Sequence, residues 1–282
     1  MPGNFLHELV GSMSQGAVGN PTVAMIEAAF AHHGLHWRYI NMEVTPPDLA
    51  AAVQGARAMG FRGFNCSMPH KVSVIAHLDG LGESAGIMGA VNCVVLREGK
   101  FIGENTDGKG FLKSLREVID PRGKRIVLLG AGGAARAVAV ELGLAGAQHL
   151  TIVNRHPERG QELAALIRAK LGVWADWVPW TSDFVVPEDA DVFINGTSVG
   201  LYDGDAQVPV QIESLRAGQV VADVIFSPPR TRLIRDAEAR GCQTIDGLGM
   251  IVNQGVVSVE YWTGVSPEPA VMRRAVEEAL GL

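Results

Sequence analysis

The chain has little cysteine, no run of basic residues and no long apolar stretch, and each shortage removes a class of protein. Cys66, Cys93 and Cys242 are odd in number and far apart, so neither a disulfide framework nor a paired metal knuckle is indicated. They read as small buried hydrophobes. The 24 basic and 30 acidic residues give a net charge of −6 with no basic cluster, which argues against a nucleic-acid or anionic-membrane partner. No stretch is apolar for long enough to span a bilayer, and the opening Met1 to Glu8 carries no basic segment followed by an apolar one. A cytoplasmic location is expected. His32, His33 and His36 straddle a helix end at Gly34 and offer no ligand geometry, so no metal site is expected. Repeats and low-complexity linkers are absent.

What is present is a glycine loop in the middle of the chain, Gly130-Ala131-Gly132-Gly133-Ala134-Ala135. It follows the apolar run Arg125 to Leu129 and opens an alanine-rich segment, Ala134 to Leu144, with the period of a packed helix. Strand, tight turn and helix in that order let backbone N–H groups face a pyrophosphate. The next apolar run, His149 to Val153, lies about twenty residues on, where the second strand of a βαβ unit ends. It stops at Asn154-Arg155 with no acid. An acid there would hold the ribose hydroxyls of NAD and repel a 2′-phosphate, whereas Arg155 and Arg159 suit a phosphate. NADP is therefore favoured, with NAD as the alternative cofactor.

At 282 residues and 47% hydrophobic content the chain is expected to form two domains. Helices are predicted over Pro21 to His33, Asp48 to Met59, Glu158 to Leu171, Arg230 to Arg240 and Val271 to Leu280. Strands are predicted at Trp37 to Val44, Gly63 to Asn65, Ala190 to Asn195 and Gln219 to Val224, with a hairpin around Arg97-Glu98-Gly99. This is α/β ordering. The expected architecture is an N-terminal α/β substrate domain over 1–108, completed by 240–282, and a Rossmann-type doubly wound parallel-sheet nucleotide domain over 109–239, with a cleft between them. Gly108-Lys109-Gly110 reads as a hinge because glycines tolerate dihedral change. Trp174, Trp177 and Trp180 follow neither period and read as packing and edge residues.

Four polar clusters flank these elements: Asn65-Cys-Ser-Met-Pro-His-Lys71, Gly89-Ala-Val-Asn92, Gly103-Glu-Asn-Thr-Asp107 and Gly247-Leu-Gly-Met-Ile-Val-Asn-Gln254. With the glycine loop, Asn154-Arg155, Asn195-Gly-Thr-Ser198 and Asp223-Val-Ile-Phe-Ser-Pro228, they make the chain resemble the shikimate/quinate dehydrogenase family along nearly its whole length. The resemblance implies reversible hydride transfer between NADP and a hydroxyl of a polyhydroxylated ring carboxylate, shikimate and 3-dehydroshikimate being the central pair, in aromatic amino acid biosynthesis. Lys71 matches the family's catalytic lysine, and Asp107 is implied to hold its ammonium and bind a neighbouring hydroxyl. Removing a hydride from an alcohol requires such a group to take the hydroxyl proton. Ser67, Asn92 and Gln254 match substrate-binding positions, where an amide both donates and accepts. Gly130, Ala131, Gly132, Gly133, Ala134, Asn154, Arg155, Arg159, Thr197, Val224 and Gly247 are implied on the cofactor. His70 precedes the lysine and reads as structural.

The family pattern is broken in places. Its Ser-x-Ser pair, whose hydroxyls bind the substrate carboxylate, aligns with Asn20-Pro21-Thr22 when Ala28-Ala-Phe30 is kept in register. Thr22 then supplies one hydroxyl and Asn20 an amide; Ser12-Met13-Ser14 stands too early. Phe226 replaces a tyrosine, Ser67 a threonine, and His156 the threonine of an Asn-Arg-Thr motif. Alternatives are therefore a quinate or other polyol dehydrogenase using NAD, or a nucleotide-binding regulatory paralogue with weak turnover. A monomer or homodimer is expected.

Overall fold

A computed structural model describes residues 5–282; residues 1–4, where the segment inspected for a leader begins, lie outside the described residues. The chain divides into two compact units, Met1–Thr106 with Gly255–Leu282, and Asp107–Gln254.

The first unit runs β1 (Glu8–Ser14), α1 (Thr22–His32), β2 (Trp37–Glu43), α2 (Leu49–Ala58), β3 (Gly63–Cys66), α3 (His70–Ser73), β4 (Gly80–Leu81), α4 (Glu83–Met88), β5 (Cys93–Arg97) and β6 (Lys100–Glu104). Its sheet has the order β2-β1-β3-β5-β6-β4. β1 pairs in parallel with β2 and β3, while β5 is antiparallel to both β3 and β6. Met25, Ile26, Ala29 and Phe30 of α1 are buried, four positions of one helical face, and the helix stops where Gly34 takes a φ of +62°. The β5–β6 turn has positive φ at both Glu98 and Gly99, the backbone that matches strand twist in a two-residue hairpin. At the core, the rings of Phe64 and Phe101 meet edge to face at 5.4 Å, enclosed by Met13, Val53 and Phe61. Burying each such side chain contributes about 1.5–3 kcal/mol.

The second unit runs α5 (Asp107–Arg116), β7 (Arg125–Leu129), α6 (Gly133–Leu144), β8 (His149–Asn154), α7 (Pro157–Leu171), β9 (Trp174–Pro179), β10 (Val192–Asn195), β11 (Val220–Asp223), α8 (Arg232–Ala239) and β12 (Gln243–Ile245). α9 (Gly247–Thr263) begins here and ends in the first unit, where α10 (Pro269–Leu280) packs on α1. All strand pairs of the second sheet are parallel, in the order β12-β11-β10-β7-β8-β9. Every residue of β10 and β11 is buried, which requires cover on both faces of the sheet. This is the doubly wound order expected from the sequence. Its strand direction of growth reverses at β7, and ligands bind such sheets at the carboxyl ends of the strands beside that reversal.

Several elements were not legible in the sequence, among them β1, α5 and α9. The supposed hinge glycines lie inside α5. A Cβ on Gly108 would stand 2.3 Å from the Ala137 carbonyl oxygen, and one on Gly110 2.4 Å from the Gln254 nitrogen. They are small so that α5 can lie against α6 and α9, a packing demand and not a dihedral one.

Candidate active site

The glycine loop leaves β7 and enters α6. Gly130 has a φ of +98°, and a Cβ there would sit 3.0 Å from the Gly196 carbonyl oxygen, so only glycine makes this turn without strain. Nothing lies within 4 Å of a Cβ built on Gly132 or Gly133. No side chain caps α6 and no acid occupies its first turn, which leaves the bare N–H groups of a helix start for an anion. The loop forms one wall of a cavity of about 700 Å³, within the size range of small-molecule sites. Gly130, Ala131, Gly132, Gly133, Ala134, Asn154, Arg155, Arg159, Thr197 and Val224 all line it. Gly247 does not. It is pressed on the backbone of Val224 and Ile225, with a Cβ position 2.3 Å from the Ile225 carbonyl, so its smallness shapes the wall from behind.

Arg155 and Arg159 are exposed and, among the described residues, neither forms an ion pair. By contrast Arg136 holds Glu162 at 3.0 Å and Lys109 holds Glu141 at 2.9 Å. Two uncommitted guanidiniums beside an acid-free strand end suit a 2′-phosphate. The donor set therefore fits NADP. His156 and Phe226 also line this cavity, as do Trp180, Thr181, Ser182 and Asp183, four residues that sequence reasoning missed. Their one sequence signal is position, just beyond β9, the strand that pairs with β8.

Just before the lining residues Val224 and Ile225, Asp223 ends β11. It is buried, and loss of hydration pushes its carboxyl up to about 6, opposed by bonds from Thr231, Ile225 N–H and Asn195. Those bonds tie β10, β11 and the start of α8 together behind Val224 and Ile225.

In the first unit, backbone bonds gather the remaining candidates. Lys71 lies in α3, half-buried, and its carbonyl accepts from Val91 N–H at 2.7 Å. Asn92 follows directly. Its carboxamide accepts from Thr106 N–H at 2.6 Å and donates to Thr106 Oγ1 at 3.0 Å, which fixes the backbone just before Asp107. Asn65 donates to the Asn92 carbonyl and accepts from the Tyr39 hydroxyl. Ser67 is anchored by its N–H to the Met13 carbonyl. His70 is fully buried and donates from Nε2 to the Val44 carbonyl, a structural role. Burial raises the Cys66 thiol to about 12 and raises Cys93 as well, so both are inert hydrophobes, whereas Cys242 is only half-buried.

Thr22 opens α1, half-buried, and its N–H bonds to Asn20 Oδ1 at 3.0 Å. Asn20 Nδ2 in turn donates to Ser12 Oγ at 3.1 Å. Ser12 and Ser14 are buried in β1. In the second unit Asp107 begins α5, where a carboxylate favours the helix start, and Gln254 of α9 lies against Gly110 of the same helix. No group of described residues is arranged to hold a metal ion, and no described helix is long and apolar enough to cross a membrane.

Known proteins share this chain's sequence and fold. Residues 21–94 match the shikimate dehydrogenase substrate binding domain, residues 114–198 match shikimate / quinate 5-dehydrogenase, and residues 247–277 match the shikimate 5'-dehydrogenase C-terminal domain. The shikimate dehydrogenase (NADP(+)) of Methanopyrus kandleri is 41% identical over 275 residues, 94% of this chain and 95% of its own. The crystal structure of the 5-ketofructose reductase of Gluconobacter sp. strain CHM43 is 55% identical with a TM-score of 0.96, covering 98% of this chain and 100% of that one. A shikimate 5-dehydrogenase from Thermus thermophilus, solved with NADP(H) and shikimate, is 32% identical with a TM-score of 0.83, covering 96% and 99%. With three matched segments in order and near-complete coverage by such relatives, the chain belongs to the shikimate dehydrogenase family.

Proposed function

We propose that the protein transfers a hydride reversibly between NADP and a secondary hydroxyl of a polyhydroxylated ring substrate, shikimate being oxidised to 3-dehydroshikimate in the family's reaction. The observation that carries the cofactor half is the cavity in which the glycine turn meets two unpaired arginines. Bound NADP supplies the hydride acceptor or donor. Lys71 takes the hydroxyl proton during oxidation and returns it during reduction. Asp107 accepts a bond from a neighbouring hydroxyl. Asn92, Gln254, Ser67 and Thr22 hold the remaining hydroxyls in the orientation transfer requires. The enzyme is a cytoplasmic monomer or homodimer in this reading, checked by light scattering on the purified protein.

A second reading, reduction of 5-ketofructose, is favoured by the polar chemistry around β1 and α1. Asn20, which stands where the family places a serine, has its carboxamide engaged with Ser12 and Thr22. Glu43 already accepts from the N–H groups of Gly16 and Ala17 in the turn after β1, at 2.8 and 2.7 Å. Arg38, Arg57, Arg62 and Arg97 are each paired with an acid. The side chains of Ser12, Asn20 and Thr22 are all neutral, which suits an uncharged keto sugar better than a carboxylate. The relative with 55% identity is named for that reaction. Steady-state kinetics with NADPH and 5-ketofructose or 3-dehydroshikimate, and with NADP and shikimate or quinate, test both. We expect kcat/KM for the keto sugar to exceed that for 3-dehydroshikimate by about tenfold or more. The opposite order assigns shikimate as substrate, and no turnover with any of them removes the oxidoreductase reading.

A further inference from the structure

The cavity beside the glycine turn has an aromatic wall that the phosphate chemistry does not explain. Trp180 follows the last residue of β9 and is held at three points. Its N–H donates to the Asn154 carbonyl at 3.2 Å, its indole Nε1 donates to the Pro209 carbonyl at 2.8 Å, and its side chain packs against the buried cluster that includes Val153, Val208 and Val210. The Asn154 carbonyl also accepts from Trp177 Nε1, so the end of β8 and the start of the next loop are locked together. With its single polar atom satisfied by Pro209, what the indole offers the cavity is an apolar face. Among the described residues no guanidinium lies over that ring, although Arg155 and Arg159 line the same space.

A rigid, partly buried indole close to two uncommitted cations is the arrangement that a base attached to a phosphorylated ribose requires. The ring supplies a π-face for stacking and the cations supply charge. We infer that Trp180 is the stacking platform for the adenine ring of NADP, with Arg155 and Arg159 on the adjoining 2′-phosphate; this rests on the cofactor assignment made above. The long indole also sets the distance between base and strand end, so Trp180 discriminates an adenine nucleotide from a bare phosphate.

Calorimetric titration with adenosine 2′,5′-bisphosphate tests the assignment without any turnover. Trp180→Leu keeps an apolar side chain on the buried cluster but removes the aromatic face, and should raise Kd by roughly tenfold. Trp180→Phe also loses the bond to Pro209 yet keeps a ring, and should stay within about threefold of the wild type. Ligand-induced quenching of tryptophan fluorescence should shrink in both variants. Wild-type affinity in Trp180→Leu overturns the inference, and if Arg155→Ala is then weakened the cofactor assignment still stands. No binding of the bisphosphate to the wild type overturns both.

Discussion

The two units use polar groups in opposite ways. In the second, the cavity is walled by the backbone of one turn and by arginines that bond to nothing else among the described residues. In the first, Ser12, Asn20, Tyr39, Asn65, Asn92, Thr106 and Ser258 are linked to one another through hydrogen bonds, nearly all between neutral side chains. Uncommitted charge gives affinity for an anion of fixed shape, as a phosphorylated cofactor is. A mutually satisfied neutral network gives discrimination, because a ligand that leaves one member unpaired incurs the desolvation penalty of that group. Cofactor binding should therefore survive changes in the first unit, and substrate choice should shift with small ones.

The largest effect that sharpens this contrast is at Lys71. Lys71→Ala should lower kcat by roughly a hundredfold or more while the Kd for NADP, read by calorimetry, stays unchanged. Near-normal turnover would remove the lysine from proton transfer. Asp107→Ala should lower kcat/KM with the same silence in cofactor binding.

Asp223 probes the other unit through pH. Its folded-state pKa of about 6 lies above the ordinary 3.8, so between those values the folded protein holds the proton more tightly than the unfolded chain. The contribution to stability is thus full below pH 4 and is lost as pH rises through 6. Asp223→Asn cannot ionise. Its stability relative to the wild type should improve by about 2 kcal/mol between pH 4.5 and pH 7.5 in urea denaturation, and a difference that does not move with pH would refute the assignment.

Arg155→Ala should weaken NADP by about 1–3 kcal/mol with little effect on NAD, since only the 2′-phosphate loses its contact. Equal loss for both nucleotides would place Arg155 elsewhere on the cofactor. The smallest effect is expected in the first unit. Thr22→Val, at a half-buried hydroxyl, should raise the KM for substrate by roughly threefold to tenfold, more than Ser14→Ala at a buried one. The reverse ranking would move the substrate contact to β1.

Much of the second unit was legible because its signals are local. Gly130 to Ala134, the end of β8 without an acid, and Arg155 and Arg159 fall within or just after one strand-helix-strand stretch, and all line one cavity. The first unit was legible only in pieces. β1 went unread because Glu8 to Ser14 carries Gly11 and two serines, yet Met13 and Val10 face a core and both serines are buried by neighbouring strands. Likewise α9 contains three glycines, and its helical state is set by what α1, α5 and α10 press against it. Gly255, for example, leaves room for the Met25 and Met272 methyls.

By itself the sequence determined the strand, turn and helix around Gly130 and the missing acid after Val153, since backbone dihedrals and charge are properties of neighbouring residues. Only the tertiary structure decided that Trp180 faces the nucleotide cavity, that Gly247 lies behind its wall, and that Asn20 is engaged by Ser12 and Thr22. It also decided that Gly108 and Gly110 serve close packing. Those outcomes depend on which distant segment arrives against a given face, and burial and hydrogen bonding across such contacts have no counterpart in residue spacing.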